Sequence, residues 1–127
     1  MVMIDRILAS PNYAASKQLL DAAALRQEGI AANLANAETP GYKRVDLAPS
    51  FAAQFAARLK AGSTAGAPLP ELAQDMNSTT TRLDGNNVEI DKELLAMGKN
   101  GAEYEALTEF VSGSLKQLRM AITGRSA

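Results

Sequence analysis

The sequence predicts an all-α protein in which long N- and C-terminal helices pack as an antiparallel, coiled-coil-like pair, with a short middle helix and a flexible loop between them. Near both ends of the chain, apolar residues recur at alternating steps of three and four, the spacing of one helix face. The 24 alanines favour helix and let helices approach closely. At 127 residues the chain fits a single domain, residues 1–127, with terminal helices at about 11–37 and 91–123.

The N-terminal helix is predicted to begin at Ser10-Pro11, because Ser is a favoured N-cap and Pro is favoured at the first helical position. Ile4, Ile7 and Leu8 predict a short amphipathic turn before it. The helical spacing then runs through Tyr13, Ser16, Leu20, Ala23, Gln27, Ile30, Leu34 and Ala37.

The end of this helix is marked by residues 31–44, which read AANLANAETPGYKR. Asn33 and Asn36 are poor interior helix formers, because their amides compete for backbone hydrogen bonds. Pro40 then disfavours helical geometry at Thr39.

The four residues Thr39–Tyr42 predict a type II turn. Pro40 fixes the first central residue, and Gly41 supplies the positive φ that the second one requires. Tyr42-Lys43-Arg44 is expected to leave the turn as an extended arm.

The middle of the chain predicts one short helix at residues 49–60, ended by Gly62. Residues 61–82 predict a flexible stretch, since the first ten are small residues, Gly, Ser and Pro without a periodic face. The remainder is polar and Thr-rich, and it fits a loop or a short β element equally well. The short helix places three large residues on one face: Phe51, Phe55 and Leu59.

The C-terminal helix carries the longest apolar pattern. Asp91 is the predicted N-cap, Ile90 and Leu95 a hydrophobic staple, and Gly124 the C-terminal stop. The predicted coiled-coil seam consists of Ile90, Leu94, Met97, Gly101, Tyr104, Thr108, Val111, Leu115, Leu118 and Ile122.

The core of such a chain is thin, because only six residues are aromatic and alanine contributes little transfer free energy. The absence of Cys and His excludes disulfides and the usual soft-metal sites. Oligomerisation is therefore the expected source of further stability. Leu107 and Phe110 widen the apolar face of the C-terminal helix on one flank, which either the middle helix or a neighbouring subunit covers.

The charge pattern gives no reason to expect binding to nucleic acid or to a membrane surface, since the net charge is −1. Seven Lys/Arg and five Asp/Glu give residues 1–60 a charge of +2, and six and nine give residues 61–127 a charge of −3, which favours pairing of the termini. No apolar run approaches the ~20 residues of a membrane span. The N-terminus lacks the basic region and long apolar core of a secretory signal peptide, so the residues alone predict a cytoplasmic protein.

Catalysis is not indicated, because the common triads and thiol mechanisms need His or Cys. Residues 84–87 fail the EF-hand pattern, since Gly85 comes too early and Val88 occupies a ligand position; a tight turn is predicted instead. No cofactor or metal is expected. Six carboxylates are expected mostly on solvated helix surfaces: Glu89, Asp91, Glu93, Glu103, Glu105 and Glu109.

Residues 31–44 resemble the N-terminal signature of the bacterial flagellar axial proteins, the rod, hook and hook-associated subunits, in which an Ala-Asn-rich helix end precedes Thr-Pro-Gly-Tyr. A second stretch, Asp84–Glu93 (DGNNVEIDKE), resembles the B-type proximal rod proteins of that family. The resemblance spans roughly residues 20–60 and 82–122.

The resemblance implies a structural subunit of the basal-body rod that polymerises through its terminal helices, links the membrane ring to the distal rod and transmits torque. The implied partners are other copies of the chain, other rod proteins, the junction protein of the membrane ring and the flagellar export apparatus. The implied location is the periplasmic rod, reached without a cleaved signal peptide, and the chain is expected neither to bind nucleic acid nor to be an integral membrane protein.

The residues expected to take part in assembly lie on the two terminal helices and in the turn between them. They are Leu20, Ile30, Asn33, Leu34, Asn36, Thr39, Pro40, Gly41, Tyr42, Leu94, Tyr104, Leu107, Phe110, Val111, Leu115, Leu118 and Ile122. The alternative function is a small soluble helical adaptor that binds a partner helix in a groove.

Overall fold

A computed structural model of the chain describes residue 6 and residues 10–64 and 66–124. The elements follow in the order α1 (Pro11–Ala35), β1 (Val45–Leu47), α2 (Pro49–Lys60), β2 (Leu72–Gln74) and α3 (Ile90–Thr123). The fold is mostly helical, and α1 and α3 pack together as predicted. The amphipathic turn predicted at Ile4, Ile7 and Leu8 lies outside the described residues.

The ends of α1 follow the predicted signals. Ser10 is the N-cap residue with Pro11 at the first helical position, although the Ser10 carbonyl rather than its hydroxyl accepts a bond, from the Ala14 N–H at 3.1 Å. At the other end, the Asn36 side-chain amide donates to the Ala32 carbonyl at 2.9 Å. This local bond is the competition with the backbone that makes Asn favourable at a helix end.

The start of α3 differs from the prediction, whereas its end agrees. The N-cap residue is Glu89, which makes no side-chain cap bond, and Asp91 lies in the first turn, where its charge favours the helix dipole. Gly124 has φ 66° and donates its N–H to the Met120 carbonyl at 2.8 Å, so the predicted stop is confirmed.

The face that α3 turns toward α1 is rotated from the predicted seam. One row of covered positions lies one residue before predicted seam positions and the other row belongs to the seam itself, so the covered face is turned by about 50°. Glu93 and Asn100 are buried and Leu107 and Ser114 half-buried, whereas the seam positions directly after them are exposed. Those exposed positions are Leu94, Gly101, Thr108 and Leu115.

A small antiparallel sheet joins the arm after α1 to the Thr-rich segment. Val45 pairs with Gln74 and Leu47 with Leu72, so the undecided stretch contains a short strand. The sheet lies against α1 at Gly29, where an added Cβ would come within 3.0 Å of the Leu72 side chain. Gly29 therefore allows the sheet to approach the helix closely. The flexibility of residues 61–82 as a whole stays a prediction.

The apolar core lies between α1 and α2. Phe51 and Phe55 stack with ring centroids 5.7 Å apart and pack against Ala15 and Ala22. Leu59, predicted on the same face, is 47% exposed because it lies in the last turn of α2, past the core. The predicted end of α2 is confirmed, since Gly62 has φ 90° and its N–H donates to the Leu59 carbonyl.

Truncation of one core ring tests how much of the stability resides here. Phe55→Ala should lower the free energy of unfolding by about 3 kcal/mol, because it removes a buried ring and leaves a cavity. Leu59→Ala on the same helix is the control and should cost about 0.5 kcal/mol, as for an exposed position. Urea unfolding followed by circular dichroism measures both, and equal losses would contradict this placement of the core.

Candidate functional site

Two distant sequence segments meet at one place, which we call the junction: residues 33–44 at the end of α1, and residues 84–93 at the start of α3. The Gly41 N–H donates to the Asp84 carbonyl at 2.8 Å. Gly85 has φ 87°, and a Cβ there would lie 3.4 Å from the Gly41 Cα. The two turns therefore pack backbone against backbone, as the tight turn predicted at residues 84–87 permits.

The side chain of Asn86 completes the end of α1. It is fully buried, and the two N–H groups of its amide are shared among three carbonyls. They belong to Asn36, Ala37 and Thr39, at 2.9, 3.1 and 2.9 Å. The Asn86 side-chain oxygen accepts from the Val88 N–H at 2.8 Å. Because these carbonyls belong to the C-cap residue and to the turn that follows α1, Asn86 holds that turn in place from a distant segment.

The predicted type II turn is confirmed in its geometry. Gly41 has φ 75°, and the Tyr42 N–H donates to the Thr39 carbonyl at 3.2 Å. A Cβ at Gly41 would meet nothing within 4 Å, so the backbone conformation alone requires glycine here.

Asn33 connects α1, the arm and α3. Its side chain is fully buried and uses its complete hydrogen-bonding capacity. The amide nitrogen donates to the Val45 carbonyl at 2.8 Å and to Glu93 Oε2 at 3.1 Å. The oxygen accepts from the Val45 N–H at 2.9 Å and from the Tyr42 hydroxyl at 3.1 Å. The residue that disfavours helix in the sequence thus holds the start of β1 in place.

Arg44 lies at the centre of the charged part of the junction. Its guanidinium pairs with Glu93 of α3, with Asp75 after β2 at 2.6 Å and with Asp46 of β1 at 3.4 Å. Its backbone N–H donates to Asn87 Oδ1 at 2.6 Å. Glu93 is completely buried, so its expected place on a solvated helix surface is wrong. Burial is possible because a full positive charge and an amide face the carboxylate.

Burial and the charges of the junction shift the pKa values of Tyr42 and Arg44. Burial of the phenol raises the pKa of Tyr42, and the negative charge of Glu93 raises it further. Burial acts to lower the pKa of Arg44, but the hydrogen bond and charge of Glu93, together with Asp46 and Asp75, outweigh it and raise that pKa. Both effects favour a protonated Tyr42 and a charged Arg44 in the folded chain.

Sequence reasoning missed three residues on which the junction depends: Arg44, Asn86 and Glu93. All three lie within the two segments that resemble the flagellar rod proteins. That resemblance was the one feature of the sequence that could have pointed to them. Their pairing joins positions about 50 residues apart in the chain, and no local spacing rule reports such a contact.

The rotation of α3 leaves an apolar line uncovered, which we call the open stripe: Ile90, Leu94, Tyr104, Leu115 and Ile122. These side chains are between 43% and 63% exposed. Met97, Val111 and Leu118, at the edge nearer α1, are half-buried. The predicted seam is therefore partly covered on its α1 side, where Met97, Gly101 and Tyr104 line a groove with Ala23, and exposed on the other side.

The opposite flank of α3 is divided. Leu107 lines a groove of about 510 Å³ with Phe51 and Phe55, so the middle helix partly covers it. Phe110 is 48% exposed and lines a second groove beside Tyr13. The sequence left open whether the middle helix or a neighbouring subunit covers this flank. The middle helix covers part of Leu107, whereas Phe110 stays exposed and is available to a neighbour.

The remaining predicted assembly residues lie at different depths. Ile30 is buried, and Leu20, Leu34, Asn36 and Tyr42 are half-buried. In the turn, three residues are exposed to solvent: Thr39, Pro40 and Gly41. The junction thus brings the predicted turn residues together with Asn33 and Asn36, and Ile90 is the member of the open stripe that lies within it.

The described residues offer neither a metal site nor a membrane span. No group of three or more of their acidic side chains is arranged to hold a metal ion. None of the described helices combines the length and apolarity that crossing a bilayer requires.

The chain is similar to proteins of the bacterial flagellum. A family model described as flagella basal body rod protein matches residues 20–43, which cover most of α1 and the turn. The flagellar basal body rod protein FlgB of Bacillus subtilis is 31% identical over 113 residues, covering 83% of this chain and 88% of the relative.

Two further relatives carry the same name. FlgB of Escherichia coli is 30% identical over 132 residues, covering 90% of this chain and 93% of the relative. FlgB of Aquifex aeolicus is 33% identical over 111 residues, covering 80% and 84%. The similarity thus spans both segments that form the junction.

The positive φ of Gly41 gives a direct test of the turn. Gly41→Val should lower the free energy of unfolding by about 1–2 kcal/mol, because a β-branched residue is strained in the left-handed region. Gly41→Asn is the matched control and should cost clearly less, since Asn tolerates that region. Urea unfolding compares the two, and equal losses would show that the turn does not enforce this conformation.

The raised pKa of Tyr42 predicts a dependence on alkaline pH. Near neutral pH, Tyr42→Phe should cost about 1 kcal/mol through loss of the bond to Asn33. Because folding raises this pKa, the contribution of Tyr42 is complete below its unfolded value of about 10 and is lost as pH rises through the folded value. The stability difference between parent and variant should therefore be steady up to about pH 9 and shrink as the pH rises above about 10. A constant difference across unfolding curves in that range would contradict the prediction.

Proposed function

Because the chain belongs to the family of flagellar basal body rod proteins, we propose that it is a structural subunit of the proximal rod and polymerises through its two terminal helices. Its partners in this role are other copies of the chain, other rod proteins and the junction protein of the membrane ring. The flagellar export apparatus delivers it to the periplasmic rod without cleavage of a signal peptide. The assembled subunit links the membrane ring to the distal rod and transmits torque through packing, without catalysis.

The open stripe is the observation that carries this proposal. It extends from Ile90 to Ile122 along a helix of 34 residues, about 50 Å. Phe110 adds apolar surface on the other flank. Contiguous apolar surface of this kind marks a site of interaction. A subunit surrounded by others in a rod needs such surface in more than one direction.

The junction supports the same role indirectly. It ties α3 to the end of α1 through Asn33, Asn36 and the turn, so that the open stripe is presented in one geometry. Asn33 and Asn36 contribute by holding the helix pair, while the exposed Thr39 and Pro40 contact a neighbouring subunit. The names of the relatives favour this role over the adaptor alternative.

Substitutions on the two flanks of α3 test the proposal. Leu115→Ser on the open stripe and Phe110→Ser on the opposite flank should each lower incorporation into rods by about tenfold or more, since an intersubunit apolar contact is lost. Both side chains are about half exposed in the subunit, so the helicity of the free protein should be unchanged. The amount of each variant in isolated basal bodies, relative to the parent, is the measurement.

The control is Leu83→Ser, in the exposed segment before α3, which should incorporate like the parent. Normal incorporation of both flank variants would contradict the proposed assembly surface. A loss of incorporation accompanied by loss of helicity would assign the side chain to the subunit's own fold and remove that flank from the proposal.

A further inference from the structure

The residues that hold α3 to α1 at greatest depth are polar and evenly spaced. Asn86, Glu93 and Asn100 follow one another at intervals of seven residues. Within the described part of α3, Glu93 and Asn100 are its buried residues, at 0% and 3% exposure. We call these three residues the polar series.

The members of the polar series alternate in hydrogen-bonding sense. The Asn86 amide donates to the carbonyls that end α1. The Glu93 carboxylate accepts from Asn33 and Arg44. The Asn100 amide donates to the Ala23 carbonyl at 2.9 Å and to Gln27 Oε1 at 3.1 Å. Asn86 lies in the turn before α3, and Glu93 and Asn100 lie in the helix itself; their order along the chain is donor, acceptor, donor.

Apolar packing does not distinguish one alignment of the helices from the next. Of the buried apolar residues of α1, Ala15 and Ala22 pack against α2, which leaves Ala23 and Ile30. Alanines interlock weakly, and a heptad pattern repeats after a shift of seven residues. A one-heptad slip of α3 would therefore sacrifice little apolar contact.

The same slip mismatches the polar series. It moves Glu93 either to the carbonyls at the end of α1 or to the Ala23 carbonyl and Gln27 Oε1. Each of these places holds backbone carbonyls, which can only accept, and separates the buried carboxylate from Arg44 and Asn33. A buried charge without a donor is strongly unfavourable.

We propose that the donor, acceptor, donor order of Asn86, Glu93 and Asn100 sets the register of α3 on α1. The polar series selects one of several alignments that apolar packing leaves close in free energy. The register in turn fixes where each side chain of the open stripe lies along the subunit.

The test measures register directly with a pair of spin labels. The chain contains no Cys, so labels can be placed at Lys17→Cys on α1 and Leu95→Cys on α3, both exposed positions well separated along the pair. The otherwise unchanged chain should give one distance population. The triple variant Asn86→Ala, Glu93→Leu, Asn100→Leu should gain a second population, displaced by about 10 Å along the axis, the rise of seven helical residues.

The matched control is Leu107→Ala, at the next position of the same heptad series. It should lower stability and leave the label distance unchanged. A single unshifted distance in a triple variant of parental helicity would overturn the proposal, as would a shift of the same size in Leu107→Ala.

If the triple variant loses its helicity, the same label distance is measured in the single variant Glu93→Gln instead. The amide is as large as the carboxylate, so the packing is preserved. Because it carries both donors and an acceptor, it can be hydrogen-bonded in either alignment, and the preference for one register is lost. A second distance population is expected in this variant, and one unshifted population would overturn the proposal.

Discussion

The structure depends on keeping the buried carboxylate of Glu93 supplied with hydrogen-bond donors. An ionised group removed from water costs several kcal/mol unless it is paired and hydrogen-bonded. The donors come from Asn33 on α1 and Arg44 on the arm, and Arg44 is itself held by Asp75 and Asn87. The buried Glu93 therefore fixes the relative positions of α1, the arm, the residue after β2 and the segment before α3.

On α3 this arrangement places polar groups inside and apolar groups outside, the reverse of an ordinary amphipathic helix. The buried residues of α3 are polar, whereas Leu94, Leu115 and Ile122 face outward. Such a distribution is unfavourable for a solitary monomer, because the apolar side chains stay in water. It suits a chain whose remaining apolar surface is buried when it assembles, in keeping with the proposed role.

The local features of the fold could be predicted because their causes lie within a few residues. Ser10-Pro11, the type II turn at Thr39–Tyr42 and the stops at Gly62 and Gly124 each act through backbone geometry or a nearby bond. The three-residue strands could not be predicted, since three residues are too few to show the alternation of apolar and polar side chains that identifies a strand. The contact face of α3 is turned by about 50° from the predicted seam, because periodicity defines an apolar stripe without saying which neighbour covers it. Asn86 and Glu93 were missed because their partners lie far away in sequence.

The small sheet also holds together the two ends of the chain segment that carries α2. The Ala48 N–H donates to the Glu71 carbonyl at 2.8 Å, so the chain leaves the helix pair and returns to it at the same point. With α2 packed on α1 and β2 paired with β1, a longer or shorter connection at residues 66–70 mainly changes the entropy of closing a loop, which grows slowly with length. The exposed tip at Leu69 is therefore a natural point at which an epitope or a fluorescent reporter can be inserted without altering the alignment of α1 and α3.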